Sequence, residues 1–597
     1  MMRFISVVLF LGILLQGMTQ GIDTVEFKGV TIEFKRIEPM IGKTIQLDSV
    51  LYSANTLGQV LQENTAFHIK NYGNGQLATA TFRGTTAQHT QIQFNGVSIS
   101  NPLLGMSDLS TIPTALFNEV SIHAGGNSVI NGAGGIGGII QIGRNYKEAM
   151  SIQVSVNSMQ SLEHSLKWNS IHKKWKFNTS YQMLENNNAF SYIDYTQASL
   201  PKTIRTNNQL AQQSVAQSIG YQIKKNWILE THGLYSQSQR NNTGTLLSNS
   251  YAQQTDQLQL IQIRSVITHA KAKTTILLHQ HNQSLDYSEL NTNGIYRSTN
   301  RQFAFKLEKK ILKKARLEWN LDIQKTEASS TGFAEIKSRN GILNAVHFFA
   351  PLKNFHLEGV VRQDIIDNKT TPTLGSIAIQ KPLKRKRNLY FKLNRNYRLP
   401  SLNDLYWEVG GNPNLLPEQA LQAELGFHTK SMELTAFSHE VSNWIQWQPT
   451  TNSNWAAHNI KNVRVFGLEL IKNHRFKGFQ LQHQTALTRS IDLENNNQLI
   501  YTPFFTWNGR LAKTYKKFHF ILDHQVTGRR FLTSNNDSYM PWFQTTNLRV
   551  SKILKSKKEH HKFEVAIRNL FNQSYQVVAW YPMPLRNVQL TYNYIIR

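Results

Sequence analysis

Gly125-Gly126-Asn127-Ser128-Val129-Ile130-Asn131-Gly132-Ala133-Gly134-Gly135-Ile136-Gly137-Gly138 sets seven glycines among fourteen residues. Glycine admits backbone conformations and close approaches that a Cβ forbids, so the run reads as a segment packed tightly against something else. Within it, Gly132-Ala133-Gly134-Gly135-Ile136-Gly137 satisfies G-x-G-x-x-G. A dinucleotide site also needs a strand before the glycines, a helix after them and an acidic residue about 20 positions on. Here the strand-like Ile139-Ile140-Gln141-Ile142 follows, and no βαβ unit surrounds it. The run instead divides the chain. Short mixed elements precede it, and a long succession of alternating segments follows. It reads as the last part of a small domain, entering the first strand of a larger one through residues 139–144.

Beyond Arg144, apolar residues recur at every second position. Ile152, Val154 and Val156 do so, as do Trp175, Phe177, Tyr181 and Met183, then Trp227, Leu229 and Tyr235, and finally Val588, Leu590, Tyr592, Tyr594 and Ile596. Period two with one apolar face is a half-buried strand. The other face carries Gln, Ser, Asn, Lys and His, too polar for a sandwich core. Apolar outside and polar inside is the pattern of a membrane barrel with a wet lumen.

The connectors alternate in kind. Ten are short and basic: 173–174, 224–226, 271–273, 309–316, 353–354, 381–387, 429–431, 472–477, 513–517 and 552–562. The others are longer and rich in Asn, Ser, Thr, Gln and aromatics, among them 185–214, 236–256, 396–419, 440–464 and 527–545. Ten turns at one end imply eleven hairpins and therefore 22 strands. About half of the Lys and Arg lie in or beside the short turns, which accounts for much of the formal net charge of +28. A basic rim at a membrane interface can meet anionic head groups, so outer-membrane lipid is an expected partner. Nucleic acid is not, because no basic groove interleaved with aromatics is present.

The 597 residues include no Cys, which excludes disulfides, thiolate metal sites and a Cys nucleophile. Met1-Met2-Arg3, the apolar stretch 4–15 and the small and polar residues 16–21 form a secretory signal pattern. Residues 22–36 alternate apolar and polar. They read either as an edge strand or as an extended peptide that adds to another protein's sheet. Between 45 and 143 the expected elements are a short helix at 57–61, strands at 78–82, 90–94, 97–99, 120–123 and 136–142, and a helical stretch at 107–116. Asn95-Gly96 is a hairpin turn signal.

Several motifs stand in a particular order: Thr81-Phe82-Arg83-Gly84, Ile92-Gln93-Phe94-Asn95-Gly96-Val97, Asp108-Leu109-Ser110-Thr111-Ile112-Pro113, Tyr397-Arg398-Leu399-Pro400-Ser401-Leu402-Asn403-Asp404-Leu405-Tyr406, Gly411-Asn412-Pro413-Asn414-Leu415-Leu416-Pro417-Glu418, Phe466-Gly467-Leu468-Glu469 and Arg568-Asn569-Leu570-Phe571-Asn572. In that order they resemble the TonB-dependent outer-membrane receptors over nearly all of the mature chain. The resemblance implies an all-β membrane protein, a 22-stranded antiparallel transmembrane β-barrel occluded by a small N-terminal α+β plug domain. It implies residues 1–21 as signal peptide, 22–36 as TonB-box region and linker, 37–143 as plug and 144–597 as barrel. The setting is the outer membrane of a Gram-negative bacterium, and the partner is TonB with its inner-membrane energising complex. TonB would pair with Phe27, Val30, Thr31, Ile32 and Phe34. Arg83 would face Glu424 and Glu469 between plug and barrel. Two departures stand out: Ala124 where the family often has a second plug Arg, and Arg597 at the end in place of an aromatic residue.

The expected cargo is a scarce small solute, vitamin B12 or similar, with a ferric siderophore as the alternative. Haem receptors of the family place a His between the two barrel motifs, and residues 401–411 contain none. The candidate solute contacts are Tyr72, Asn74, Asn101 and Leu104 in the plug, with Tyr195, Trp407, Trp444 and Trp542 in the outer loops. No Asp-rich calcium loop is present, and neither a metal site nor a cofactor is expected. An enzyme is not expected either, since G-x-S-x-G, H-E-x-x-H and paired acids in a defined pocket are missing. The other class that fits a barrel is a non-transporting adhesin or signalling barrel. The expected state is a single, monomeric barrel.

Overall fold

The computed structural model describes residues 43–46, 56–117, 119–125, 129, 134–144, 149–289, 292–310, 315–449 and 454–596. The expected signal segment and the candidate TonB contacts Phe27, Val30, Thr31, Ile32 and Phe34 lie outside the described residues.

Twenty-two antiparallel strands, from Met150–Asn157 to Asn587–Ile596, close into a barrel. The last strand pairs with the first from Gln589↔Asn157 to Ile596↔Met150. Closure leaves no unpaired edge, which a span through hydrocarbon demands of a sheet. The wall is inside out. Along Arg387–Arg398, Leu389, Phe391 and Leu393 are 41–46% exposed, while Lys392, Asn394 and Asn396 are at most 4% exposed. Apolar side chains thus face outward, and the polar ones face a filled lumen. The short basic connectors fall at one end of the barrel and the long ones at the other.

Two of the segments expected as loops, 236–256 and 440–464, are mostly strand. Trp227–Gly244 and Asn249–Thr268 stay paired out to Gly244↔Asn249, and Met432–Pro449 and Trp455–Phe476 stay paired out to Pro449↔Trp455. Above the membrane both faces of a hairpin meet water. The period-two signal therefore disappears while the backbone ladder continues.

The small domain has a five-stranded mixed sheet ordered Lys43–Gln46, Glu119–Ala124, Gly138–Gly143, Thr90–Phe94, Val97–Ser98. Gly138–Gly143 runs parallel to Thr90–Phe94 and antiparallel to Glu119–Ala124. It is therefore a plug strand and not the entry into the barrel, whose first strand is Met150–Asn157. The reason lies in its burial: Ile139, Ile140 and Ile142 are all at most 2% exposed. A strand covered on both faces is apolar without alternation, unlike a wall strand. Asn95 and Gly96 have φ of 49° and 88°, the two positive values that a tight hairpin turn requires. The stretch 107–116 is two single 3₁₀ turns, Leu109–Thr111 and Thr114–Leu116, rather than one helix. Pro113 between them has no N–H to continue a ladder, and the Asp108 carboxylate caps the first by accepting from Ser110 N at 2.9 Å.

The helix Leu57–Asn64 packs Leu57, Val60 and Leu61 against Phe82, Ile92, Leu109 and Phe117. Ala216, Leu234 and Leu260 of the barrel wall join the same apolar cluster. The small domain is thereby seated inside the barrel.

Candidate functional site

The contact between plug and wall is built on charge. Arg83 sits in the tight turn after Ala78–Thr81 with φ of 47°. Its Nη1 lies 3.0 Å from Glu424 Oε1 and its Nη2 2.9 Å from Glu469 Oε2, and its Nε donates to Glu469 Oε1 at 3.1 Å. Burial alone would lower the Arg83 pKa, but Glu424 and Glu469 outweigh it and hold the guanidinium charged. The guanidinium also covers the Phe437 ring at 4.5 Å.

Two glycines of the wall leave room for this geometry. Phe437 stands opposite both Glu424 and Gly467 in the ladder. A Cβ on Gly467 would lie 2.7 Å from the Phe437 ring, and one on Gly426 would lie 2.0 Å from Tyr390. Glycine at both positions leaves space that the Phe437 and Tyr390 rings occupy. Gly125 is held by the same site, since a Cβ there would fall 1.9 Å from Glu424 Oε1. Ala124 supplies no second plug cation. Lys392, buried in the wall, stands directly across the ladder from Glu424. A cation near this acid is thus part of the barrel.

Three other charged contacts help to tie the plug down. His89 Nε2 lies 2.6 Å from Glu418 Oε2, and Arg398 also binds Glu418. Arg240 of the wall reaches Asp108 at 2.7 Å. At the end of the plug helix, Glu63 meets Arg568 at 3.0 Å, Arg549 at 3.5 Å and Arg510 at 3.9 Å. Burial would raise the Glu63 pKa, but the guanidiniums of Arg549, Arg568 and Arg510 bring it down to about 2. The plug therefore offers Arg83 and His89 to wall acids, and Glu63 and Asp108 to wall arginines.

At the long-loop end, the plug hairpin of His68–Asn71 and Ala78–Thr81 carries Tyr72 and Asn74 at its tip. The Tyr72 ring meets Tyr581 edge-on at 5.2 Å. Lys70 Nζ lies 4.3 Å from the Tyr501 ring and 5.4 Å from Tyr72. Burial lowers the pKa of Lys70, and burial with Arg530 and Lys70 nearby lowers His68 to about 3, so His68 is neutral. Lys70, Tyr501 and Tyr581 are not among the sequence candidates. Lys70 is legible only as a neighbour of Tyr72, and the two tyrosines arrive from distant loops.

The other candidates are distributed. Asn74 hydrogen-bonds Asn188 on the wall side. Asn101 Oδ1 accepts from Leu103 N and Leu104 N at 2.9 and 3.2 Å, which shapes a loop that docks on Leu402 and Asn403. Tyr195 and Trp542 are exposed at 43% and 61%. Trp407 stacks on Tyr296 and fills the space over Gly332. Trp444 is not an outer-loop aromatic. It is buried with Ile136, Phe437 and Val465 and meets the His89 ring edge-on at 4.7 Å. The strand carrying it continues past the expected loop boundary, and the plug covers its inner face.

Residues 151–570 match the family model described as TonB dependent receptor-like, beta-barrel, and residues 47–139 match the TonB-dependent Receptor Plug Domain. The vitamin B12 transporter BtuB of Photobacterium profundum is 22% identical over 441 residues, covering 71% of each chain. That of Vibrio vulnificus is 21% identical over 435 residues, covering 67% of this chain and 66% of the other. Among solved structures, the siderophore receptor PirA of Acinetobacter baumannii superposes with a TM-score of 0.78 at 12% identity, covering 93% of this chain and 98% of that one. The FrpB iron transporter of Neisseria meningitidis (F3-3 variant) does so with a TM-score of 0.77 at 13% identity, covering 92% and 98%. At such identities the structures establish the fold alone.

Proposed function

As a member of the TonB-dependent receptor family, this chain is an outer-membrane receptor and transporter, and we propose that it binds vitamin B12 or a similar scarce solute at the cell surface and imports it with energy supplied through TonB. The observation that carries import is the buried contact of Arg83 with Glu424 and Glu469. A plug held by discrete ion pairs stays closed at rest, yet it can be released by force and reseat. TonB engages residues 27–34 by strand addition, with Phe27, Val30, Thr31, Ile32 and Phe34 as the contact row. The receptor works as a single barrel in contact with outer-membrane lipid.

Vitamin B12 is supported by the sequence likeness to vitamin B12 transporters over 71% of the chain. A ferric siderophore is the second reading. It is favoured by Lys70 among Tyr72, Tyr501 and Tyr581, a cationic and aromatic surface that suits an anionic ligand with planar groups. Tyr72, Tyr195 and Trp542 are the candidate contacts we assign to either one.

The test is a binding screen of the purified receptor against cyanocobalamin and a panel of ferric siderophores, paired with uptake by cells carrying a deletion of residues 22–36. Saturable binding of cyanocobalamin, with uptake lost and binding retained in the deletion, is the expected result. Binding of none of these ligands refutes both solute readings, and uptake that survives the deletion refutes energised import.

A further inference from the structure

Import leaves one feature unused, the charge of the short-turn end. The segments 171–176, 222–227, 269–273, 309–316, 352–356, 381–387, 428–432, 475–478, 513–517 and 552–558 hold 28 Lys and Arg and not one Asp or Glu. That equals the formal excess of the whole chain, +28. Segments at the other end mix the two signs. Residues 398–418 set Arg398 against Asp404, Glu408 and Glu418, and residues 528–542 contain Asp537 as well as Arg529 and Arg530. The charge is therefore polarised along the barrel axis.

The register of the wall places part of this charge at the membrane boundary. Along Leu374–Leu383 the outward row runs Ile377, Ile379, Lys381, with the two isoleucines 55% and 40% exposed. Along Phe505–Tyr515 it runs Leu511, Lys513, and along Phe543–Lys555 it runs Leu548, Val550, Lys552. Near the turn each row carries a lysine, followed on the same face by one exposed apolar or aromatic residue, Leu383, Tyr515 or Leu554. Each of these lysines covers an aromatic ring: Lys381 over Phe355 at 5.7 Å, Lys513 over Phe479 at 4.0 Å and Lys552 over Phe518 at 5.5 Å. Lys477 over Phe476 and Lys516 over Tyr515 repeat the arrangement at the turns. Aromatic rings mark the head-group level of a bilayer. A lysine stem lies along such apolar surface while its ammonium reaches the polar zone.

We propose that the short-turn rim is a binding ring for anionic phospholipid head groups of the periplasmic leaflet, with Lys381, Lys513 and Lys552 holding the phosphodiester and the 381–387 turn adding a second cluster. Short turns mark the periplasmic side of such barrels. A phosphodiester carrying net charge meets a large excess of ammonium and guanidinium groups there, with Glu308, paired to Arg316 at 3.5 Å, and Glu559 as the carboxylates bordering these turns. A zwitterionic lipid brings its own cation and gains less. The ring fixes the depth of the barrel and gathers acidic lipid around the end from which the plug is pulled.

The test uses the full-length receptor in bilayers containing spin-labelled phosphatidylglycerol or phosphatidylcholine and reads the motionally restricted fraction of each. A preference of about five-fold for phosphatidylglycerol at about 0.1 M salt, falling toward equality at about 1 M, is expected. Two variants, Lys381→Gln/Lys513→Gln/Lys552→Gln and Lys384→Gln/Arg385→Gln/Lys386→Gln/Arg387→Gln, should each lose half or more of that preference. Heat-modifiable migration on gels shows that each barrel is folded, and the turn variant keeps the test alive if the wall variant is not. Equal association of both lipids with the wild type, or an unchanged preference in folded variants, overturns the proposal. So does loss of the preference on adding inorganic phosphate at constant ionic strength, which would identify a free-anion site. Finally, co-sedimentation with peptidoglycan sacculi that the variants lose while lipid preference stays unchanged would identify a cell-wall contact and overturn it as well.

Discussion

Replacing Glu63 by Gln removes one charge from the plug and almost no volume. In the folded protein Glu63 faces Arg568, Arg549 and Arg510, and they hold its pKa at about 2 against an ordinary 4.5. That gap corresponds to about 3 kcal/mol of preferential binding of the charged form. Its sign follows from the lowered value. The contribution is fully present above pH 4.5 and is lost progressively as pH falls from 4.5 toward 2. Glu63→Gln should therefore weaken retention of the helix Leu57–Asn64 by about 3 kcal/mol at about pH 7 and by little near pH 2. Because the chain contains no Cys, a single introduced Gln59→Cys gives a unique spin-label site on that helix. Urea titration of the label's mobility at a series of pH values reads helix release in both proteins. Other acids also titrate, so the informative quantity is the difference between the two midpoints, which should shrink as pH falls through 4.5. Equal midpoints at neutral pH, or a difference that stays constant down to about pH 2, would refute the assignment of Glu63 as a charge anchor.

The Arg83 site should show a graded response in the same urea assay. Arg83→Ala leaves two carboxylates without their plug cation and should cost about 3–5 kcal/mol of plug retention. Glu424→Gln should cost more than Glu469→Gln, because the Glu424 side chain is fully buried while that of Glu469 is 18% exposed. Gly125→Ala should loosen the plug, since its Cβ would meet Glu424 at 1.9 Å and its φ is 66°. Gly134→Ala should cost backbone strain of about 1–3 kcal/mol and little else, because its φ is 102° and no atom of the described residues lies within 4 Å. Lys392→Met should destabilise the barrel wall around Glu424 even when the plug is deleted, measured by the temperature at which heat-modifiable migration is lost.

Much of the architecture was legible because its causes are local. A strand crossing hydrocarbon must satisfy its backbone in a ladder and turn one face to lipid, so Leu389, Phe391 and Leu393 alternate with Lys392, Asn394 and Asn396 whatever the rest of the chain does. Asn95-Gly96 specifies its turn within two residues. The same local reading failed wherever the environment was not the membrane. Residues 136–142 read as a strand of the small domain, yet the end of the run also reads as leading into the wall, because burial on two faces removes the alternation that separates a plug strand from a wall strand. Trp444 looked like a loop aromatic because a hairpin above the bilayer has no lipid face to announce it.

The amino-acid sequence by itself determined the alternating wall strands, their number and which end of the barrel is basic, because hydrophobic period and turn composition are written within a few residues of each other, while the plug is read from the order of motifs that resemble the receptor family. The family resemblance implied that Arg83 meets Glu424 and Glu469, the latter 386 residues away, but only the tertiary structure decided the other pairings, such as Glu63 with its partners on three different strands of the far half of the chain. No spacing rule links such groups. Their pairing is set by how a folded plug is rotated inside a closed wall, and that rotation is a property of packed surfaces rather than of any segment.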